Sequence, residues 1–245
     1  MNKTVLITGA GGGIGEALCR DFARAGYDVV IHYNSSQESA LKLQAELEES
    51  YNVRAIAIKA DLRNGEEVKS LAETAINAFG KIDVLVNNAG VAYFSLLQLA
   101  DDSKVRELFE INLMSAMNLT KEILPSMIKN QWGRIINISS MWGIAGASCE
   151  VHYSASKSAL IGFTKALAKE TGPSGITVNC IAPGYIDTKM NSCIDDDSVR
   201  EIVECTPVGR KGQPGDISPL AVFLADDKAS FITGQVISVD GGYGI

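Results

Sequence analysis

TVLITGAGGGIG, Thr4–Gly15, is the stretch on which the reading of the whole chain turns. A short β-rich run passes through Thr8 into five glycines within seven positions, and GEALCRDFARAG follows with the apolar spacing of an amphipathic helix. Strand, turn and helix in that order put the glycines where a backbone turns tightly and comes close to a pyrophosphate, whose negative charge is favoured at a helix N-terminus. A glycine cluster alone serves equally well as a tight turn. Its place after an N-terminal strand, at the opening of a βαβ unit, is what points to a dinucleotide.

Outward from this loop the same alternation repeats. DVVIHY, VRAIAIKA and IDVLVNNAG read as strands separated by the helical stretches SQESALKLQAELEES and EEVKSLAETAINAFG. After a long helical region around Lys104–Asn130 come GRIINISS, a helix from about Tyr153, GITVNCIAPG, another helical stretch, and GQVISVDGG. Strands spaced by helices imply a parallel sheet, and right-handed crossovers leave one economical topology. The expected fold is α/β: a single Rossmann-type doubly wound domain over residues 1–245, with a seven-stranded parallel sheet and helices on both faces. The segment between Gly184 and Arg210 is the only long one without a strand, and it is read as a lid over a site at about 184–210.

Composition narrows the function classes. No apolar run approaches the roughly 20 residues of a membrane span, and the start of the chain reads directly as a strand, so a cytoplasmic protein without a membrane partner is expected. The net charge of −7 and the lack of a Lys/Arg block argue against nucleic acid. Five cysteines without metal-ligand spacing (Cys19, Cys149, Cys180, Cys193, Cys205) are read as reduced, mostly buried thiols, and no metal is called for. Asp195-Asp196-Asp197 reads as a solvated loop or a helix start.

GASCEVHYSASK, Gly146–Lys157, places a phenol and an ammonium four residues apart on one helical face. Such a pair is by itself an ordinary surface contact, and its companions give it meaning. The loop spacing Gly9, Gly13, Gly15 after Thr8, NNAG at Asn87–Gly90, Asn112 in FEINLMS, Ser140 closing IINISS, YSASK with Tyr153 and Lys157, Pro183-Gly184 with Thr188, and the closing GGY occur in order along essentially the full length. In this set the chain resembles the short-chain dehydrogenase/reductase family. The resemblance implies that Tyr153 is the general acid that protonates a carbonyl oxygen as hydride arrives, and the base in the reverse direction. It implies that Lys157 lowers the Tyr153 pKa and holds the nicotinamide ribose. It further implies that Ser140 bonds the substrate oxygen and that Asn112 holds a water joining Lys157 to solvent. A cation about 4 Å away at an effective dielectric of about 20 is worth on the order of 4 kcal/mol, or about 3 pKa units, against an ordinary tyrosine value near ~10.

The same resemblance assigns the cofactor contacts to the loop (Gly9, Gly12, Gly13, Ile14, Gly15), to Asp61 and Leu62 flanking the adenine, to Asn88, Ala89 and Gly90 on the adenosine side, and to Pro183, Gly184, Ile186 and Thr188 by the nicotinamide, with Tyr153 and Lys157. At the end of the second strand Tyr33 stands where NAD-preferring relatives carry Asp, so no carboxylate repels a 2′-phosphate. Asn34, Ser35 and Ser36, with His32 nearby, could donate to that phosphate or simply cap the helix starting near Gln37. A basic residue at Gly12 or Asn34, common in NADPH-preferring relatives, is missing. NADPH is expected over NADH.

For the substrate, length, motif set and GQVISVDGG resemble the 3-oxoacyl-acyl-carrier-protein reductases of fatty acid biosynthesis, usually homotetramers. Such enzymes present basic residues to an acidic carrier; this chain has Gln131 and Ser174 at those places, with Lys129, Arg134 and Lys169 near. SSMWGIAGASCEVHYS instead resembles a branch that reduces a 5-aminopentanone group built on a lysine of elongation factor P. There Glu150 could favour a cationic amine, or be a solvated loop carboxylate; Trp142 could wall the pocket, or belong to the core. His152 projects from another helical face and Cys149 has no identifiable base, so neither is given a catalytic role. A non-catalytic NADP-binding scaffold is the remaining alternative, and retention of Asn112, Ser140, Tyr153 and Lys157 together argues against it. Tyr153→Phe is expected to fold and bind cofactor while losing turnover by at least about a hundredfold, measured as NADPH consumption.

Overall fold

The structure, a computed structural model, describes residues 2–192 and 194–244. Seven strands, β1 (Thr4–Ile7), β2 (Asp28–Tyr33), β3 (Ala55–Lys59), β4 (Val84–Asn87), β5 (Gly133–Ile138), β6 (Ile176–Pro183) and β7 (Val236–Val239), form one sheet in the order β3-β2-β1-β4-β5-β6-β7. Every pairing is parallel. The order reverses between β1 and β4, the switch point at which doubly wound sheets open a crevice beyond their strand ends.

Strands buried on both faces read as continuous apolar runs, and side-chain alternation divides them between two cores. Val5, Ile7, Val29 and Ile31 face one side with Leu18 and Phe22 of α1 (Gly13–Arg24), Leu43 and Leu47 of α2 (Gln37–Tyr51) and, from near the C-terminus, Ile217 and Leu224. Leu6, Val30 and Leu85 face the other, with Val68 and Leu71 of α3 (Gly65–Phe79). The long helical region proves composite: α4 (Asp102–Phe109) passes through a π turn (Glu110–Met114) into α5 (Ser115–Asn130), which adds Leu119 and Ile123 to the second core. After β5 come α6 (Trp142–Ala145) and α7 (Val151–Thr171), then α8 (Asp196–Glu204) and α9 (Pro214–Ala225). Asp195 caps α8 by accepting from the Ser198 N–H at 2.9 Å, so the acidic run is a helix start. Among the described residues no helix is long and apolar enough to cross a membrane.

The expectation of mostly buried thiols is corrected. Cys19 and Cys180 are buried while Cys149 and Cys205 are exposed, because the latter two sit on loops rather than on sheet-facing elements; Cys193 lies outside the described residues.

A buried polar chain crosses the sheet just below its catalytic end. Asn87 Nδ2 donates to Asn137 Oδ1 at 2.8 Å and Asn137 Nδ2 donates to Thr164 Oγ1 at 2.8 Å, which joins β4, β5 and α7. Asn137→Ala would leave the Asn87 amide without this acceptor inside the protein. The expected cost is about 3 kcal/mol, or roughly 6–12 °C in Tm, read from thermal unfolding.

Candidate active site

Loops at the C-terminal ends of β1 to β6 enclose a cavity of about 530 Å³. Every expected cofactor residue lines it except Gly15, which lies behind the loop; Ser140, Trp142, Glu150, Tyr153 and Lys157 line it too. Asn112 is buried outside the lining.

The glycine loop is dictated by close approach. Gly9 has φ +63°, and a Cβ there would stand 2.9 Å from Ala89 Cα. A Cβ on Gly15 would run into the Gly9 carbonyl, and Gly13, at φ +55°, lies beneath Thr188. Gly12, extended at the N-cap of α1, opens onto free space, and no side chain caps that helix end. A shallow, side-chain-free helix terminus at the cavity wall fits a pyrophosphate. Asn88 pins the loop to β4 by donating to Thr8 O at 2.9 Å and Gly9 O at 3.2 Å, and Thr8 Oγ1 accepts from the N–H groups of Asn88 and Ala89, both at 3.0 Å.

At the β2 end, Tyr33 is buried, and Asn34, Ser35 and Ser36 line the cavity. Ser36 occupies the N-cap position of α2 without a side-chain capping bond, its hydroxyl packed on Gly11. His32 is not a phosphate donor: it is buried, and both ring nitrogens are engaged by the backbone. The Asp61 carboxylate is gripped by the Arg63 guanidinium, which holds it below the usual carboxylate range and reaches on to Glu107 at 2.8 Å.

α7 begins at Val151, so Tyr153 and Lys157 lie one turn apart, facing the cavity. Gly143 lets α6 rest on α7, since a Cβ there would be 2.9 Å from the Lys157 carbonyl carbon, and Ser139 Oγ donates to the Lys157 carbonyl at 2.9 Å. Nζ of Lys157 donates to the Ile138 carbonyl at 2.9 Å and lies 5.8 Å from the centroid of the Tyr153 ring. Burial pushes the ammonium down to about 8. Burial also pushes the Tyr153 phenol up to about 12, partly opposed by its hydrogen bond with Ser140 and reinforced by Glu150. Burial thus works against the lowering expected from Lys157, whose ammonium is held by the Ile138 carbonyl.

Asn112 sits in the π turn, a widened turn of the kind often found at functional sites. Its Oδ1 accepts from Val91 N at 2.8 Å, while Nδ2 donates to Val91 O at 3.0 Å and to Ser156 Oγ at 3.1 Å. Both amide hydrogens are spent, so a water can use only the remaining capacity of Oδ1. A Cβ on Gly90 would lie 3.2 Å from Lys157 Nζ and 3.3 Å from that oxygen, so this glycine keeps the gap between them open.

Trp142 walls the cavity instead of joining the core, its indole edge-on to Tyr243 with centroids 5.6 Å apart. Glu150 is buried at the head of α7, and among the described residues no side-chain hydrogen bond or ion pair meets its carboxylate, which burial pushes up to about 7. Phe94, Met190, Ile194 and Ile202 also line the site; no motif marks such residues, which declare themselves only by position. Among the described residues no group of three or more His, Cys, Asp or Glu is placed to hold a metal.

The chain matches the family model described as short chain dehydrogenase over residues 3–198. It is 42% identical over 243 residues to the uncharacterized oxidoreductase YmfI of Bacillus subtilis, covering 99% of each chain. It is 38% identical over 242 residues to the 3-oxoacyl-[acyl-carrier-protein] reductase FabG of Staphylococcus epidermidis, again covering 99% of each. Against the FabG of Aquifex aeolicus the identity is 38% over 240 residues, 98% of this chain and 96% of the relative. With the glycine loop, the seven-stranded parallel sheet and the Tyr153/Lys157 face in one cavity, the chain belongs to the short chain dehydrogenase family and is an NAD(P)H-dependent oxidoreductase acting on CH–OH and C=O groups.

Proposed function

We propose that the protein is an NADPH-dependent ketone reductase whose substrate carries a cationic amine, for which the 5-aminopentanone group on a lysine of elongation factor P is the best match. The single observation that carries the amine is Glu150, a buried carboxylate without a protein partner in the same cavity as Tyr153. An ammonium group would supply the missing counter-charge and draw Glu150 into its ionised form, whereas an acidic carrier gains nothing there.

Bound reduced nicotinamide supplies the hydride. Ser140 holds the carbonyl oxygen, and Tyr153 donates its proton to that oxygen. Burial raises the phenol's pKa, so it stands protonated at neutrality and ready to donate. Lys157 offers a cation to the phenolate left behind, and the opening beside Gly90 and Asn112 is the route we assign to proton resupply. Residues at about 184–210, including α8 with Ile202 on the cavity, act as the lid of a single-domain enzyme. NADPH is favoured because Tyr33, not a carboxylate, closes β2, with Asn34 and Ser35 as donors at the cavity wall. We also propose a cytoplasmic homotetramer, whose contacts would cover exposed apolar side chains such as Leu97, Leu99 and Phe231.

A 3-oxoacyl group on acyl carrier protein is the second reading, supported by the names of the FabG relatives. It is weakened by Arg134. This side chain is buried, stacks on Trp132 at 4.3 Å and donates to the carbonyls of Gly133 at 2.9 Å and Gly175 at 3.3 Å, so it is not part of a docking patch. The deciding experiment is NADPH consumption on the modified elongation factor and on a 3-oxoacyl thioester in parallel; fast turnover of the thioester alone would reject the amine reading.

Two predictions accompany it. With the amine-bearing ketone, kcat/KM should rise through about pH 7 as Glu150 ionises and fall above about pH 8 as Lys157 loses its proton. Glu150→Gln should remove the lower limb and cost about tenfold or more, while turnover of a neutral ketone stays close to normal. Tyr33→Asp should move the NADPH-to-NADH ratio of kcat/KM toward NADH by about tenfold or more, since a new carboxylate would repel a 2′-phosphate.

A further inference from the structure

His32, on β2, is an ionisable side chain that touches the glycine loop, and the motifs above give it no part. Its Nδ1 lies 3.1 Å from the Gly9 nitrogen and its Nε2 lies 3.0 Å from the Ala60 carbonyl oxygen. A backbone N–H can only donate and a carbonyl can only accept, so Nδ1 is the bare acceptor and Nε2 carries the proton. The ring is thus neutral with its tautomer fixed, as its burial, which lowers its pKa, also requires. The same residue accepts from Ala10 N through its own carbonyl at 2.9 Å. On the far side Asn88 Nδ2 donates to the Gly9 carbonyl, so both polar groups of Gly9 are gripped by side chains, one from β2 and one from the residue that follows β4. A glycine at φ +63° has wide freedom to turn its peptide, and these grips, with the Ala10 bond, help fix the direction in which the following loop amides point.

We propose that His32 is a positioning residue for cofactor binding: through the Gly9 N–H it holds the loop in the form that receives the pyrophosphate. This rests on the nicotinamide-dependent reading above. The two ring bonds can be separated, because an Asn side chain puts its oxygen where Nδ1 stands and a Gln side chain puts its nitrogen where Nε2 stands. His32→Asn keeps the Gly9 bond and loses the Ala60 bond; His32→Gln does the reverse. Each loses one hydrogen bond, so a merely structural role would lower Tm alike and leave the two with the same affinity.

The test is isothermal titration of NADPH into the wild-type protein and both variants, with Tm of the free proteins as control. H32N should bind within about threefold of wild type and H32Q about tenfold more weakly, the size of one lost buried hydrogen bond. Equal affinities for H32N and H32Q, or a tenfold loss in H32N, would overturn the latch while leaving the cofactor reading intact; the H32N result alone decides should H32Q fail to fold. A wild-type protein that binds neither NADPH nor NADH would sink both.

Discussion

The bond from the Lys157 ammonium to the Ile138 carbonyl anchors the catalytic end of the molecule. It ties the second turn of α7 to the last residue of β5 in a place water barely reaches, and a charge buried there must be held by something polar. The Ser139 bond to the Lys157 backbone and the close seat of Gly143 on the same residue hold α7 from the other side. Tyr153 is then fixed one helical turn away, beside Ser140 at the end of the same strand. Burial of this kind has opposite effects on the two titrating groups: it makes the ammonium easier to discharge and the phenol harder.

The fold was fully legible in the sequence because strand and helix periods alternate cleanly from Thr4 to Val239, and buried parallel strands such as DVVIHY leave continuous apolar runs. The site was legible where chemistry needs a particular residue type. Gly9 and Gly15 are demanded by close contacts and Gly13 by its positive φ, and Tyr153 and Lys157 by their spacing on one helix. What could not be read was the competition among forces at one atom. Proximity to a cation argues for a lowered Tyr153 pKa, and only the packing around the phenol shows the desolvation that opposes it. Asn112 likewise reads as a water ligand, and only the structure shows that its amide is bonded to Val91 and Ser156, which leaves Oδ1 alone for a water. His32 and Arg134 were hard to place for a related reason: a polar or amphipathic residue within an apolar run has no period to show which way it faces.

Substrate choice in this scaffold comes down to the few side chains that close the cavity beyond the shared chemistry. Glu150 is chemically unlike its neighbours Trp142, Phe94, Met190 and Ile202, which offer shape and apolar surface. A carboxyl half out of water in such a cavity is held toward its neutral form, and a charge brought beside it would change that balance.

The central position of β1 constrains how the protein comes into being. β1 is made first, yet one of its neighbours is β4, and the Thr8 hydroxyl waits for the amides of Asn88 and Ala89, 80 and 81 positions later. Until Val84–Asn87 has emerged from the ribosome, the first strand has one bare edge and the glycine loop lacks half of its supports. Long-range parallel pairing of this sort folds slowly and leaves apolar edges open in the interim. The nucleotide can therefore act as a folding partner only after β4 has been made, and the vulnerable window for misassembly lies between the synthesis of β1 and that of β4.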